Sequence, residues 1–442
     1  MPEFLGEFGH CIEIKKEAVK AKVFQGTPNP LENRFLSEFP SLWNKIDKPA
    51  ELSAQVSDLN VMAVDSSVYS NLLSTGGVFY VVRSLGVCRG FQQKWLESDV
   101  FFSRGGSVAE RQYLTVKMEM AEFQVALDAL KKGLVCSTIL IDGSLYGRLV
   151  HVPLESTVEE DRLLLLNYFR VYRQLLDVCK QNGVMLVGVA KESRSTAFRD
   201  YLLNLVFRKA LEEANLEDSD TRMIVPLFLE VADNAGLGLA KFERFKQKYG
   251  GKVGVIELIF EELARSRPDY QVIMRYAKDV GYTRPLLLGA SPRLERRLRQ
   301  FQLHPEEYVR KNFPNTIREM GKGLINEAAG VIAGIADFPA ILSFYVLFDS
   351  RDSPIRIDVP YYDKRFIDVG WHKPFSADLS RVLKVLATGY CGLDCHNLWL
   401  KNVDERVRLK KKTVDNIYVP YLEKLFGEKI IRGRSYRRVK YP

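Results

Sequence analysis

The sequence lacks any apolar run near the ~18–20 residues that a membrane-spanning helix needs, so no membrane role is expected. Its first stretch, MPEFLGEFGHCIEIKKEAVK, has no apolar centre and no small-residue cleavage site of the secretory kind. The cytoplasm is therefore the expected compartment. Internal repeats and low-complexity linkers are absent. Cysteine is sparse: Cys11, Cys88, Cys136, Cys179, Cys391 and Cys395 are spread over 442 residues and read as free thiols rather than a disulfide framework. Cys391, Cys395 and His396 follow a C-x3-C-H spacing, which is not the C-x-x-C-H of haem attachment. Zinc would need a fourth ligand from elsewhere, so small buried thiols are the expectation.

Lys and Arg number 64 against 55 Asp and Glu, a net charge of +9. A positive surface suits a polyanionic partner, because each neutralised phosphate releases counterions. The last stretch, EKIIRGRSYRRVKYP, carries six Lys or Arg residues, among them Arg434, Arg437 and Arg438, interleaved with Tyr436 and Tyr441. Cations hold phosphates and aromatics stack on bases. A solvated tail fits the same composition.

The pattern divides the chain into an N-terminal helical and extended segment (1–60), a first core part (61–231), a mostly helical insertion (232–338), a second core part (339–425) and a basic tail (426–442). A short helix is expected over 10–22. Strands are expected at VMAVDSS (61–67), at GGVFYVVRSLGVC (76–88) and near Val100 to Ser103. Residues 108–132 read as a helix, with Val116, Met120, Phe123, Leu127 and Leu130 on one face. A strand follows at 137–144, then a helix at 159–182 stopped by Asn182-Gly183, then the strand VMLVGVA. RMIVPLFLEVA (222–232), ILSFYVLFDS and PIRIDVP read as later strands. The order predicts a mixed α/β fold with one main sheet. Within the insertion, PRLERRLRQ reads as a solvated basic helix face.

Asp65 and Asp142 each end an apolar strand, followed by Ser-Ser and Gly-Ser respectively. An acid there is costly unless it meets solvent or a cation. Ligands of open α/β sheets bind at the carboxyl ends of strands. The helix between them adds a third carboxylate. With Phe123 at 0° and roughly 100° per residue, Glu119 falls at about −40°, inside the apolar face, and Glu122 at about −100°, at its edge. Three converging carboxylates repel one another without a cation, and hard oxygen ligands take Mg or Mn. The order Asp, helix Glu, Asp is that of a ribonuclease-H-like core, where two metals clamp the two oxygens of a phosphodiester. Glu119 is the preferred third ligand and Glu122 its alternative. Lys191, ending the next strand, would reach a phosphate as a compact cation, with Ser193 donating to it. Asp394 is a plausible cap for a following helix with His396 in its first turn.

The motifs AVDSS, ILIDGSL and GVAKESRS, in that order around a Glu-bearing helix, resemble those of the NurA nucleases of archaeal and some bacterial DNA repair. FYVLFDSRDSPIRIDVP is similar to that family's late strand pair, with Arg356 and Asp358 in place of its Arg and acid. TGYCGLDCH resembles its closing segment, with Tyr390 and His396 as the Tyr and His; the family's Pro after the Tyr is Cys391 here. The resemblance implies a ribonuclease-H-like mixed sheet flanked by helices. It implies Mn- or Mg-dependent 5′-to-3′ exonuclease and single-strand endonuclease activity in DNA end resection. Asp65, Glu119 and Asp142 would hold the metal and His396 would complete the site or move a proton. Lys191, Ser193, Tyr390 and Arg356 would meet DNA. The partners implied are single-stranded DNA and duplex ends, a second copy of the chain, and a hexameric HerA-type translocase.

Two other readings stay open on the sequence. An actin-like ATPase or kinase would carry a Gly-rich phosphate loop just after the first aspartate; here Asp65 is followed by SSVYSNLL, with glycines only at 76 and 77. A non-catalytic DNA or helicase adaptor would not need intact carboxylates.

Overall fold

The computed structural model describes residues 3–24, 29–47, 49–103, 105–191, 193–321 and 323–431. Arg434, Arg437 and Arg438 of the basic tail lie outside them. The chain forms two compact units, Met1–Ser41 with Leu202–Ser266 and Leu42–Tyr201 with Arg267–Pro442.

The smaller unit is helical. RMIVPLFLEVA, expected as a strand, lies in the helix Asp218–Asp233. Its buried residues Ile224, Leu227, Phe228 and Val231 recur at i, i+3, i+4 and i+7, a helical period that outweighs local β-propensity. Phe228 stacks on Phe207 at 5.1 Å, and Phe260 joins Phe207 at 5.5 Å and Phe242 at 4.9 Å. This aromatic group supplies the unit with its own core.

The larger unit is built on one mixed sheet. Its strands are β1 (Trp43–Lys45), β2 (Val61–Leu72), β3 (Val78–Cys88), β4 (Phe91–Phe101), β5 (Thr138–Asp142), β6 (Met185–Ala190), β7 (Gly281–Thr283), β8 (Leu286–Leu288), β9 (Pro339–Leu347), β10 (Ile355–Arg365) and β11 (Lys373–Pro374). The order is β1-β7-β9-β10-β6-β5-β2-β3-β4, with β8 beside β9 and β11 beside β8. β2, β3 and β4 run antiparallel in sequence, while β5 and β6 lie parallel to β2. This is the ribonuclease-H-like core that the motif order implied. β9 and β10 extend it antiparallel beyond β6.

The expected 232–338 insertion is therefore divided. Residues 202–266 join the N-terminal segment in the small unit, whereas 267–338 belong to the large one. There β7 and β8 pair with β9, and Leu298, Phe301, Tyr308 and Val309 join the main core. Residues 42–60, expected with the N-terminal segment, enter the large unit, where β1 pairs with β7.

Side chains alternate across a strand, so the sheet has two chemically distinct faces. Met62, Val64, Ile139 and Ile141 point to the face covered by the helices Gly106–Lys131 and Leu164–Gln181. Val61, Ala63, Leu140, Val187 and Val189 point to the other, covered by Ser380–Gly389 and Leu398–Val407. Both faces are apolar, which explains why the central strands read as continuous hydrophobic runs.

Gly188, in the middle of β6, is where the sheet and the turn after β5 approach most closely. A Cβ there would lie 2.7 Å from the Gly143 carbonyl oxygen and 2.8 Å from Leu145 Cγ. Gly188→Ala should cost about 1–3 kcal/mol through overpacking. The check is the midpoint of urea unfolding; an unchanged midpoint would show that this turn yields without strain.

Candidate active site

β2 and β5 pair in parallel register with Val64 opposite Ile141. The next residue on each strand is an aspartate, so Asp65 and Asp142 stand side by side. Both continue the row of Ala63 and Leu140, so both face the Leu398–Val407 helix. Asp142 pairs in register with Val189 on β6, and Lys191 follows two residues later on the same face. Lys191 Nζ donates to Asp142 Oδ2 at 2.9 Å.

Asp65 is buried, and its Oδ1 accepts from the Ser66 amide at 2.8 Å. Burial first, then the Asp142 charge, push its carboxyl up to about 6. His396 meets the same cluster from the other side. Its Nε2 is buried and has no hydrogen-bond partner among the described residues. Burial, followed by the neighbouring Lys191, lowers its pKa to about 4, so the imidazole is neutral at pH 7. Asp394 does not cap the following helix. That role falls to Asn397, which accepts from Trp399 N and Leu400 N, each at 3.1 Å, and leaves His396 just outside the first turn. Tyr390 donates to Asp352 Oδ2 at 3.0 Å on the same side as His396, and its ring lies 5.3 Å from Phe348.

The Asp-Gly-Ser turn after β5 divides its work by residue. Asp142 faces the site. Gly143 adopts φ 112° and returns its amide to the Val189 carbonyl at 2.8 Å. Ser144 caps the short helix Leu145–Leu149 and donates to Asp358 Oδ2 at 2.6 Å. Asp358 is fully buried, and it also accepts from Tyr146 N at 3.1 Å and Arg356 Nε at 2.9 Å. Arg356 reaches further to Ser343 Oγ at 3.1 Å and Ser193 Oγ at 3.5 Å. Arg356, expected at the DNA, is buried on the opposite side of the sheet from Asp65, and Ser193 is tied to it. Sequence spacing cannot show this, because consecutive strand residues face opposite ways.

The two helix acids have different surroundings. Glu122 accepts from Ser66 Oγ at 2.6 Å and pairs with Arg148. Glu119 instead meets His151 Nε2 at 2.9 Å and the Tyr168 hydroxyl at 2.8 Å, away from the aspartates. The cause is a helix packed on two sides. Phe123 stacks on Tyr172 of the neighbouring helix at 4.1 Å, so it marks the helix-facing side rather than the sheet-facing one. Val125, against Gly86 of β3, marks the sheet side, and Glu122 lies one turn before it. Burial raises the Glu122 carboxyl against the pull of Arg148 and Ser66, whereas His151 and Arg148 hold Glu119 below its ordinary value in spite of burial.

The sequence reading missed Asp404. It lies four residues after Leu400 on the helix Leu398–Val407, whose buried face is Leu400, Val403 and Val407. Its charge is felt by both Asp65 and His396. The available signal was a carboxylate beside a packed helical face, the same signal that drew attention to Glu119.

Among the described residues no group of three or more His, Cys, Asp or Glu side chains is already gathered around one point for a metal. Asp142 Oδ2 is held by Lys191. The donor set of two carboxylates and a neutral, unpartnered imidazole nevertheless fits a divalent cation such as Mn or Mg, with Lys191 giving way. The thiols of the C-x3-C-H segment are not buried as expected: Cys391 is exposed and Cys395 half-buried.

A family model described as the NurA domain matches residues 59–409. Among solved structures, the NurA nuclease from Sulfolobus solfataricus is 12% identical, with 96% of this chain and 98% of that one covered and a TM-score of 0.52. A second NurA structure is 15% identical over 92% of this chain and 96% of that one, with a TM-score of 0.44. A third, described as NurA bound to dAMP and manganese, is 15% identical over 96% and 98%, with a TM-score of 0.40. No curated protein matches the sequence.

A cation at Asp65 must displace the proton that burial and Asp142 favour there. Manganese affinity should therefore fall as pH drops through about 6, by up to ~10-fold per pH unit below it. Isothermal titration across pH 5 to 8 measures this. An affinity flat over that range would remove Asp65 from the cation site.

Proposed function

The chain belongs to the NurA family of metal-dependent nucleases, and from that premise we propose that it hydrolyses DNA phosphodiesters at the Asp65–Asp142 centre. The observation that carries this reading is the parallel register of β2 and β5, which sets two carboxylates side by side opposite the unpartnered His396 Nε2. A bound manganese or magnesium ion supplies Lewis acidity and an activated water at neutral pH.

The residues of this chain divide the rest. Asp65 and Asp142 hold the cation through their carboxylate oxygens. His396, neutral at pH 7, offers Nε2 as a further ligand or as the acceptor of a proton. Lys191, freed from Asp142, turns its ammonium to the scissile phosphate. Tyr390 borders the site for the DNA strand. Glu122 supports β2 through Ser66 and is the helix acid to test first; Glu119 belongs to a separate cluster with His151. Arg434, Arg437 and Arg438 of the tail add phosphate contacts, which deletion of residues 429–442 tests through the salt dependence of DNA binding.

An actin-like kinase or ATPase fits less well. β2 runs extended from Val61 to Leu72, so the backbone after Asp65 does not turn to cradle a phosphate. Exonuclease polarity from 5′ to 3′, single-strand endonuclease activity, action in end resection, a homodimer and a HerA-type translocase partner are inferred from the family alone. End-labelled substrates, light scattering and co-purification with the translocase test them. Among the described residues no helix is long and apolar enough to cross a membrane; a cytoplasmic location is inferred with the DNA substrate.

Labelled single-stranded DNA should be cut with Mn present and left intact in EDTA. Asp65→Asn and Asp142→Asn should lose cleavage by at least about 100-fold, in keeping with the loss of a cation that supplies several kcal/mol, while DNA binding persists. Glu119→Gln should retain cleavage and Glu122→Gln should not. The latter leaves the Arg148 charge buried without its partner, so its melting temperature must be measured beside its rate. Cleavage by both aspartate variants, once contaminating nuclease is excluded, would sink the reading.

A further inference from the structure

We propose that Cys391 and Cys395 form a redox-active dithiol, that a disulfide oxidant converts it to an intramolecular disulfide, and that this bond draws His396 out of its working position. The first claim stands on the loop alone. The effect on His396 rests on the active-centre reading above.

Accessibility and placement single out this pair. Cys88, Cys136 and Cys179 are buried in the main core, the ordinary use of a small thiol, and Cys11 is the one cysteine of the smaller unit. Cys391 is exposed and Cys395 half-buried. Thiol exchange needs such access.

The backbone brings the two together. Gly392 adopts φ 98°, and Cys395 N donates to the Gly392 carbonyl at 3.0 Å, which closes a turn. Cys391 N then donates to the Cys395 carbonyl at 2.9 Å. Residues joined this way in an antiparallel ladder have Cα atoms about 5.5 Å apart, within the roughly 4.4–6.8 Å span of disulfides. The two thiols are already hydrogen-bonding neighbours.

The same loop carries two residues of the centre, Tyr390 before Cys391 and His396 after Cys395. Its base is fixed: a Cβ on Gly389 would lie 2.5 Å from Asn397 Nδ2 and 2.9 Å from the Trp399 ring. Sulfur atoms drawn together to bond length therefore displace the residues between these ends. Tyr390 is tethered to Asp352, whereas His396 Nε2 has no tether among the described residues, so His396 takes up the movement.

The reaction is thiol–disulfide exchange. The Cys391 sulfur attacks one sulfur of a small disulfide such as oxidised glutathione, and the first thiol leaves with the Cys391 proton. The Cys395 sulfur then attacks Cys391 Sγ and expels the second thiol, which takes the Cys395 proton. Two electrons pass from the dithiol to the oxidant. Exposed disulfides of this kind are the readily reduced ones, suited to regulation.

The test treats the full chain with oxidised glutathione, blocks free thiols and maps the peptides by mass spectrometry. The wild type should yield the peptide 385–401 unblocked and two hydrogens lighter. Cys395→Ser should stop at glutathione on Cys391. Cleavage of labelled single-stranded DNA with Mn should fall by about 10-fold or more in the oxidised wild type and return after a phosphine reductant. Cys391→Ser, which keeps a donor for the Gly389 carbonyl, should cut DNA equally before and after oxidation. Glutathione on both thiols, or both left free, overturns the dithiol. A mapped disulfide with an unchanged rate overturns the control of His396. If the reduced chain cuts no DNA, the active-centre reading fails and takes that control with it, while the peptide map still decides the dithiol.

Discussion

Two like charges on adjacent parallel strands are the constraint that organises this structure. Strands lie ~4.8 Å apart, and two carboxylates at that separation repel by about 3 kcal/mol at an effective dielectric of ~20. Neither aspartate is placed by a flexible loop that could relieve the repulsion. Both are set by the β2–β5 register, which is in turn fixed by the rows of Val61, Ala63 and Leu140 beneath them. The fold answers with charge. Lys191 is delivered by the neighbouring strand to Asp142, and Asp65, with no cation of its own, has its carboxyl pushed up. A divalent cation beside the two carboxylates would offset this repulsion, and in the proposed centre that is the physical content of metal dependence.

Holding two repelling groups in place requires a rigid backing, and the buried network on the other side of the sheet provides it. Asp358 fastens the turn after Asp142 through Ser144 Oγ and Tyr146 N, and Arg356 fastens Asp358. Glu122 does the equivalent for β2 through Ser66, with Arg148 as its counter-ion. Arg148 also donates to the Asp142 carbonyl at 2.8 Å, so the two supports meet. Buried pairs of this kind contribute little net stability, since desolvation offsets their attraction. Their use here is to fix position: each aspartate is followed by residues whose side chains are locked on the far face.

The sequence made the centre legible where chemistry and period coincide. An acid ending an apolar strand is unusual enough to single out Asp65 and Asp142, and strand alternation carries Lys191 to the same face. What it could not supply was orientation around helices. The apolar face of the Gly106–Lys131 helix is wide because it meets both a sheet and a helix, so a phase measured from Phe123 does not show that Glu122 is the acid that bonds Ser66 of β2 and Glu119 the one that meets His151. Arg356 and Asp358 were noticed for their residue types, but whether a strand residue points to solvent or to a buried backing depends on what covers that face. Asp404 escaped notice although it carries the signal that singled out Glu119, a carboxylate beside a packed helical face. RMIVPLFLEVA failed for the opposite reason: β-branched residues suggested a strand, while the spacing of its buried residues was helical all along.

Lys191 has two uses in the proposed centre. It donates to Asp142 Oδ2 at 2.9 Å, and were that carboxylate to take a divalent ion, the same ammonium would be released beside the scissile phosphate. Metal and strand binding would then be coupled, because whatever favours the release of Lys191 favours both ligands, and such coupling is reciprocal.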